Sequence, residues 1–405
     1  MNDGPAQPHQ PTEQVPASTA QTYPDAAHSN DSPSQPGTHF AELNAAWLRL
    51  VCTPGIGPVN GRQLASACGG VCAIWQSDAR QLNDIEGIGE RALQALAAST
   101  PAQAEAIMQR CEHAGIHILN IEDPRYPALL KQTDDAPLLL FARGRLDALN
   151  HPRVLAVVGA RKADNEGKLI TRRWCAHLAG HGVAIVSGMA FGIDAAAHGG
   201  ALDAGGGAAP TLAVLGCGLA ASFSPVQQNQ IGAISESGCV LSEFLPEEGA
   251  RPEHFPRRNR IIAGMAAATL VVQADIRSGS LITARLAADY GREVMAVPGS
   301  ALAGRHAGCH QLLRDGAMLV DSSDDILFAM GWQGVPGTPR VAYAPADPRE
   351  AEIMQALDNE VMHIDALAEH CGLTVPELSP ILLGLELLGV VDSLPGSRYT
   401  LGRAG

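Results

Sequence analysis

Between Val154 and Val320 the chain repeats one device: a short apolar run, a loop of glycine, serine and a few arginines, then a helix-like stretch. The loops read VVGARKA (157–163), IVSGMAFGID (185–194), VLGCGL (214–219), FPRRNRIIAG (255–264), RSGSLITA (277–284) and VPGS (297–300). Continuous apolar runs of this length mark strands buried on both faces. They fall near 154–158, 183–186, 211–215, 239–242, 269–272, 294–297 and 317–320, with helices near 165–180, 193–204, 225–236, 258–267, 281–290 and 308–315. This alternation predicts a doubly wound, Rossmann-like α/β fold around a mostly parallel sheet. In such a fold the loops at the carboxyl ends of the strands converge on one rim. Glycine admits a ligand close to the backbone there, and free N–H groups at helix starts favour anions. The rim is therefore expected to bind phosphate, which points to a nucleotide or polynucleotide ligand.

The net charge of −14 argues against a nucleic-acid binder until its distribution is considered. Residues 1–40 carry a net −4 and residues 340–405 a net −6, which leaves −4 for 41–339. Within that stretch Arg257, Arg258 and Arg260, with Asn259 between them, cluster on one glycine-rimmed loop. Arg161 and Arg277 lie on neighbouring loops. Local potential governs anion binding more than the total does. Ser278, Gly279 and Ser280 open a helix with Thr283 one turn in, and Ser187 and Gly188 with Gly192 follow the second strand. A single Gly-Ser turn is usually an ordinary cap. Several on one sheet edge beside three arginines read as a site. Phe255 either stacks a nucleobase beside the cations or packs in the core. Asp194 and His198 share a helix face, but with no nucleophile nearby they read as capping and bracing. Asp194 is placed to hold a loop amide, and Glu243 to orient an arginine of the RRNR segment.

Other chemistries lack their residues. No G-x-G-x-x-G follows the first strand, and no G-x-x-x-x-G-K-[ST], H-E-x-x-H or G-x-S-x-G occurs, so no cofactor is expected. Nine cysteines stand singly apart from Cys68 and Cys72, the pattern of buried or incidental thiols in a reducing cytoplasm rather than of a metal site. The start has neither a basic n-region nor an apolar h-region, and no run of about 18 apolar residues suggests a membrane span.

Five segments are expected. Residues 1–39, with seven prolines and no Lys or Arg, read as disordered. Residues 40–115 read as a small helical domain in which PGIGPVNG (54–61) and IEGIGERA (85–92) each set Gly-Ile-Gly before a helix. That pattern is similar to helix-hairpin-helix modules, although a tight turn between packed helices explains it equally simply. Residues 116–330 form the Rossmann-like domain, entered through a Pro-rich segment at 122–144, and 331–348 a Pro/Gly linker. Residues 349–405 read as a winged helix with a Thr374–Glu377 capping box and a wing around Pro395-Gly396. Its would-be recognition helix, 376–388, has no Lys, Arg, Asn or Gln, so base reading is not expected of it.

Taken in order, VVGAR (157–161), IVSGMAFGIDAAAH (185–198), LAVLGCGL (212–219), LSEF (241–244), FPRRNRIIAG (255–264), SGSLITARLAADYGREVMAVPG (278–299) and the GC-x-x-LLRDGA stretch resemble the DNA-processing protein A (DprA, also called Smf) family of bacterial natural transformation. The resemblance covers roughly 120–330 strongly, with the family's helical N-terminal domain and C-terminal winged helix around it. It implies a non-enzymatic protein that binds single-stranded DNA, forms a homodimer and loads the RecA recombinase while displacing single-strand-binding protein. It places Arg161, Ser187, Gly188, Arg257, Arg258, Arg260, Ser278 and Gly279 at an anion pocket, with Gly159, Gly192, Phe255, Asn259, Ser280 and Thr283 completing the candidate site. The alternative is a nucleotide-hydrolysing enzyme like the phosphoribohydrolases. Those carry P-G-G-x-G-T and a catalytic Glu where this chain reads Ser278-Gly279-Ser280-Leu281-Ile282-Thr283.

Overall fold

The computed structural model describes residues 36–333 and 345–401, apart from 206–207, 303, 346, 358–360, 389 and 395. Residues 1–35 of the expected disordered segment and most of the expected linker 331–348 therefore lie outside the described residues, while 36–39, expected to be disordered, open the first helix, Pro36–Val51. The central sheet has nine strands: β1 (His117–Asn120), β2 (Leu139–Gly144), β3 (Val154–Val158), β4 (Ala184–Ser187), β5 (Thr211–Val214), β6 (Cys239–Ser242), β7 (Ala268–Val271), β8 (Glu293–Ala296) and β9 (Met318–Leu319). Their spatial order is β1-β2-β6-β5-β4-β3-β7-β8-β9. From β6 across to β9 every neighbouring pair is parallel. β2 joins β6 antiparallel, and β1 joins β2 antiparallel. The result is a doubly wound, mostly parallel sheet.

Alternation along each strand sends its side chains to two cores, one per face. Val154, Ala156 and Val158 of β3 enter one cluster, and Leu155 and Val157 the other. Both sets are fully or almost fully buried, which is why the run carries no polar residue. The first core does not stop at the sheet. It continues through Trp47, Leu48, Leu50, Leu64 and Leu96 of the N-terminal helices, which pack beside β1 and β2 rather than around a centre of their own. β2 departs from the expectation of a Pro-rich lead-in over 122–144. Residues 139–144 instead extend the sheet, with Phe141 opposite Ser242.

The two Gly-Ile-Gly turns lie against each other. Asn60 Nδ2 donates to Gly87 O at 2.9 Å, and a Cβ on Gly55 would stand 3.2 Å from Ala92 Cβ. Gly55 and Gly87 take φ of +87° and +84°, a conformation glycine reaches without strain. Beyond the linker, helices Pro348–Ala356, Ile364–His370 and Val375–Leu387 pack with β10 (Met362–His363), β11 (Val391–Leu394) and β12 (Arg398–Leu401) as a winged helix with its own core. Its wing meets the body where the Arg173 guanidinium donates to Thr400 Oγ1 and Leu401 O.

Candidate nucleic-acid interface

The chain winds from β3 to β4 in one direction and sets β7 on the other side of β3. Strand order reverses between β3 and β7, and doubly wound sheets open a crevice at such a point, outside the carboxyl ends of the strands. A crevice of about 690 Å³ lies there, bounded by residues 158–161, 190 and 194, the start of helix His254–Met265, and residues 275–283. Its floor depends on close backbone approach. A Cβ on Gly159 would lie 2.6 Å from Ile193 Cγ1 and 3.0 Å from Gln273 O. Buried Gln273 pins both ends of the β3 loop. Its carbonyl accepts from Ala160 N at 2.7 Å, its Oε1 from Asp164 N at 3.2 Å, and its Nε2 donates to Asp164 Oδ2 at 3.0 Å.

All three RRNR arginines sit on a helix that begins at His254, four residues before the start near 258 expected from the sequence. At about 100° per residue, Arg258 points roughly 100° away from Arg257 and 160° from Arg260. That phase separates their fates. Arg258 lines the crevice and is buried, donating Nη1 to Gly188 O at 2.5 Å and also to Val214 O. A Cβ on Gly188 would come within 2.6 Å of that guanidinium, so a side chain at 188 would have to push it off its two carbonyls. Buried Asp194 faces the same group. Burial pushes the Asp194 carboxyl up, against the pull of Arg258, and burial lowers Arg258 against the pull of Asp194. Asp194 Oδ2 also accepts from Ala190 N at 3.3 Å.

Arg257 and Arg260 lie outside the crevice lining, on the other side of the helix. Both converge on buried Glu243. Arg257 Nε is 3.1 Å from Oε1, and Arg260 donates to Oε2 and to Asp135 O. These two arginines clamp the end of β6. Ser187 and Gly192 are likewise builders of the wall rather than lining residues. The Ser187 hydroxyl, fully buried, donates to Val157 O at 2.7 Å. Gly192, at φ +83°, presses against the Ala160 and Arg161 carbonyls, the latter 2.6 Å from where a Cβ would stand.

Across the crevice, helix Ser280–Asp289 starts without a side-chain hydrogen bond at its N-cap, Gly279. Ser278 Oγ and Ser280 Oγ are 2.7 Å apart, and Asn259 Nδ2 donates to Gly279 O at 3.3 Å, tying the arginine helix to this turn. With Thr283 one turn in, hydroxyls and a helix N-terminus face the same volume. Phe255 packs over Gly216, where a Cβ would be 3.1 Å from its ring, and carries the Arg161 guanidinium 4.9 Å from its centroid. Arg161 and Arg277 are exposed at the mouth. Three arginines (161, 258, 277) thus meet two acids (194, 275), and one of the acids is already engaged by Arg258. The sequence marks Arg277 only as a neighbouring cation, and Gln273 and Asp275 not at all. Gln273 follows an apolar strand, and its partners in the β3 loop, Ala160 and Asp164, lie over a hundred residues away.

His198 is bonded to β5 rather than to Asp194. Its Nδ1 meets Thr211 Oγ1 at 2.8 Å, that hydroxyl donates to Ile185 O at 3.1 Å, and burial pushes the imidazole down to about 3. Among the described residues no group of three or more His, Cys, Asp or Glu could hold a metal ion, and no helix is long and apolar enough to cross a membrane.

Comparison with known proteins gives this geometry a context. The family described as DNA recombination-mediator protein A matches residues 117–331, and the DprA winged helix domain matches 337–397. Protein Smf of Escherichia coli (strain K12) is 38% identical over 304 residues, covering 72% of this chain and 79% of its own. DNA processing protein DprA of Streptococcus pneumoniae is 44% identical over 208 residues, 51% of this chain and 72% of the relative. The X-ray structure of DNA processing protein A from Streptococcus pneumoniae superposes with a TM-score of 0.62 at 35% identity, over 70% of this chain and 97% of that one.

Proposed function

Because the chain belongs to the DNA recombination-mediator protein A family, we propose that its switch-point crevice binds single-stranded DNA and that the protein acts in DNA processing without cutting the strand. The observation that carries this reading is the convergence of Arg161, Arg258 and Arg277 with the Ser278–Ser280 turn and a helix N-terminus on one rim. Guanidiniums and amides hold phosphates without sequence preference, and Phe255 beside Arg161 offers a base a flat face. Arg161, Arg277, Asn259, Ser278, Gly279, Ser280 and Thr283 make the direct contacts in this reading. Arg258 and Gly159 shape the floor, while Ser187, Gly188 and Gly192 brace it.

The finer role follows the family resemblance: a cytoplasmic homodimer that protects incoming DNA, displaces single-strand-binding protein and loads RecA during natural transformation. Support for self-association comes from the far edge of the sheet. There the short strand β9 leaves Met318 and Leu319 exposed, at 37% and 52%.

Fluorescence anisotropy with an unstructured oligonucleotide tests the binding. Reversing both exposed cations, Arg161→Glu with Arg277→Glu, is expected to weaken affinity by about a hundredfold with an unchanged thermal midpoint. Unchanged affinity would refute the site. Release of free base from a nucleoside monophosphate would instead favour the hydrolase alternative.

A further inference from the structure

Phe191 stands 77% exposed in the loop after β4, between Ala190 and the turn to Asp194, both residues 190 and 194 lining the crevice. An isolated exposed apolar residue is ordinary. This one is held out by an unusually fixed turn. Met189 takes a φ of +55° and Gly192 one of +83°. Ala190 N is held by the Asp194 carboxylate at 3.3 Å, and Ala190 O accepts from Ala195 N at 3.1 Å. Ile193 N donates to Ala160 O at 3.3 Å, which locks the turn onto the Arg161 loop. Mobile exposed side chains sit on loose loops, whereas this ring is presented on a rigid mount at the crevice mouth. On the opposite lip Ile276, 67% exposed, stands between Asp275 and Arg277, which both line the crevice.

We propose that Phe191 is a stacking platform for a nucleobase of the strand just outside the crevice, extending the path of bound DNA beyond the phosphate-gripping floor. This rests on the reading of the crevice as a single-strand site. The Phe191 loop is bonded to the Arg161 loop through Ile193 N and Ala160 O, so a strand whose phosphate is gripped at Arg161 would find an exposed aromatic ring on the neighbouring turn. Base–aromatic stacking is tolerant of sequence and carries no counterion release. Phe191 should therefore add affinity without adding salt dependence, the reverse of Arg161 and Arg277.

The test uses the full chain and thymidylate oligonucleotides long enough to leave the crevice, with a matched set whose nucleotides are abasic. Phe191→Ala is expected to lose about tenfold in affinity for the base-bearing strand at every salt concentration, with an unaltered salt slope, and to bind the abasic strand as the wild type does. Phe191→Trp restores the affinity, and its added indole emission is quenched when the strand binds. Equal affinity of Phe191→Ala and wild type for base-bearing strands, while the Arg161→Glu, Arg277→Glu double variant still shows its large loss of affinity, would overturn the platform and leave the crevice standing. Loss of affinity for both strand types alike would also overturn it, because a backbone contact would then explain the effect. A wild-type protein with no salt-dependent binding would bring down both readings. An unchanged thermal midpoint for Phe191→Ala, expected of an exposed side chain, keeps misfolding out of the comparison.

Discussion

Helix His254–Met265 carries chemically identical groups on two faces and uses them in opposite ways. On one face Arg258 is drawn into the crevice wall against two backbone carbonyls and Asp194. On the other, Arg257 and Arg260 close on Glu243. The first face leaves cationic character at a rim open to a ligand, supplemented by Arg161 and Arg277. The second commits its charge to internal architecture, joining the helix to the end of β6. Counting arginines in a motif therefore overstates the ligand-facing charge. The helical phase and the nearest buried acid decide which guanidinium is available.

The contrast can be broken most forcefully at Arg258. Arg258→Ala removes a buried cation and leaves Asp194 buried opposite a void, which is expected to cost about 3–5 kcal/mol in urea unfolding. Adding Asp194→Leu should recover part of that loss, because the stranded carboxylate is then gone. A single variant as stable as the wild type would mean that the crevice wall does not depend on this pair.

Glu243→Gln attacks the other face. It leaves Arg260 buried without its counter-charge and lets half-exposed Arg257 rehydrate, for an expected loss of about 2–3 kcal/mol. Oligonucleotide affinity should move by less than about threefold. A large fall in affinity at unchanged stability would place the clamp arginines in the binding site after all.

Protons sharpen the comparison further, because His198 lies near Arg258 rather than near the clamp. Burial, and secondarily Arg258, hold its folded pKa at about 3, below the ordinary 6.5. The unfolded chain therefore binds the proton first as pH falls. Stability is complete above about 6.5 and declines as pH drops toward 3, reaching a loss of about 2 kcal/mol near pH 5. The difference between wild type and His198→Gln, followed by thermal unfolding across that window, isolates this contribution. Parallel curves for the two would show that His198 is not held neutral.

The sheet was legible because its strands are buried on both faces. Leu155, Val157 and Ile185 sit in unbroken apolar runs with no competing period. β2 was not legible, because Leu139–Gly144 follows a Pro-rich stretch and its partner β6 lies about a hundred residues on. The rim loops were also readable, since Gly159 and Gly192 occur where only a bare Cα fits. What remained hidden was direction. The helix was expected only from 258, yet Pro256 in its first turn costs no hydrogen bond, and the resulting phase sorts the three arginines. The pairing of Glu243 with an arginine of the RRNR segment was readable, but not that it takes two of them, and Gln273 with the β3 loop leaves no local trace in sequence.

The most direct test of the account is the salt dependence of oligonucleotide affinity in three proteins: wild type, Arg161→Ala with Arg277→Ala, and Arg257→Ala. Each cation withdrawn from a phosphate of a single strand should lower the slope of log affinity against log salt by about 0.7. Two such cations give a predicted fall of about 1.4 in the crevice variant, against no change in the clamp variant. Equal slopes in all three, or a fall confined to Arg257→Ala, would contradict it.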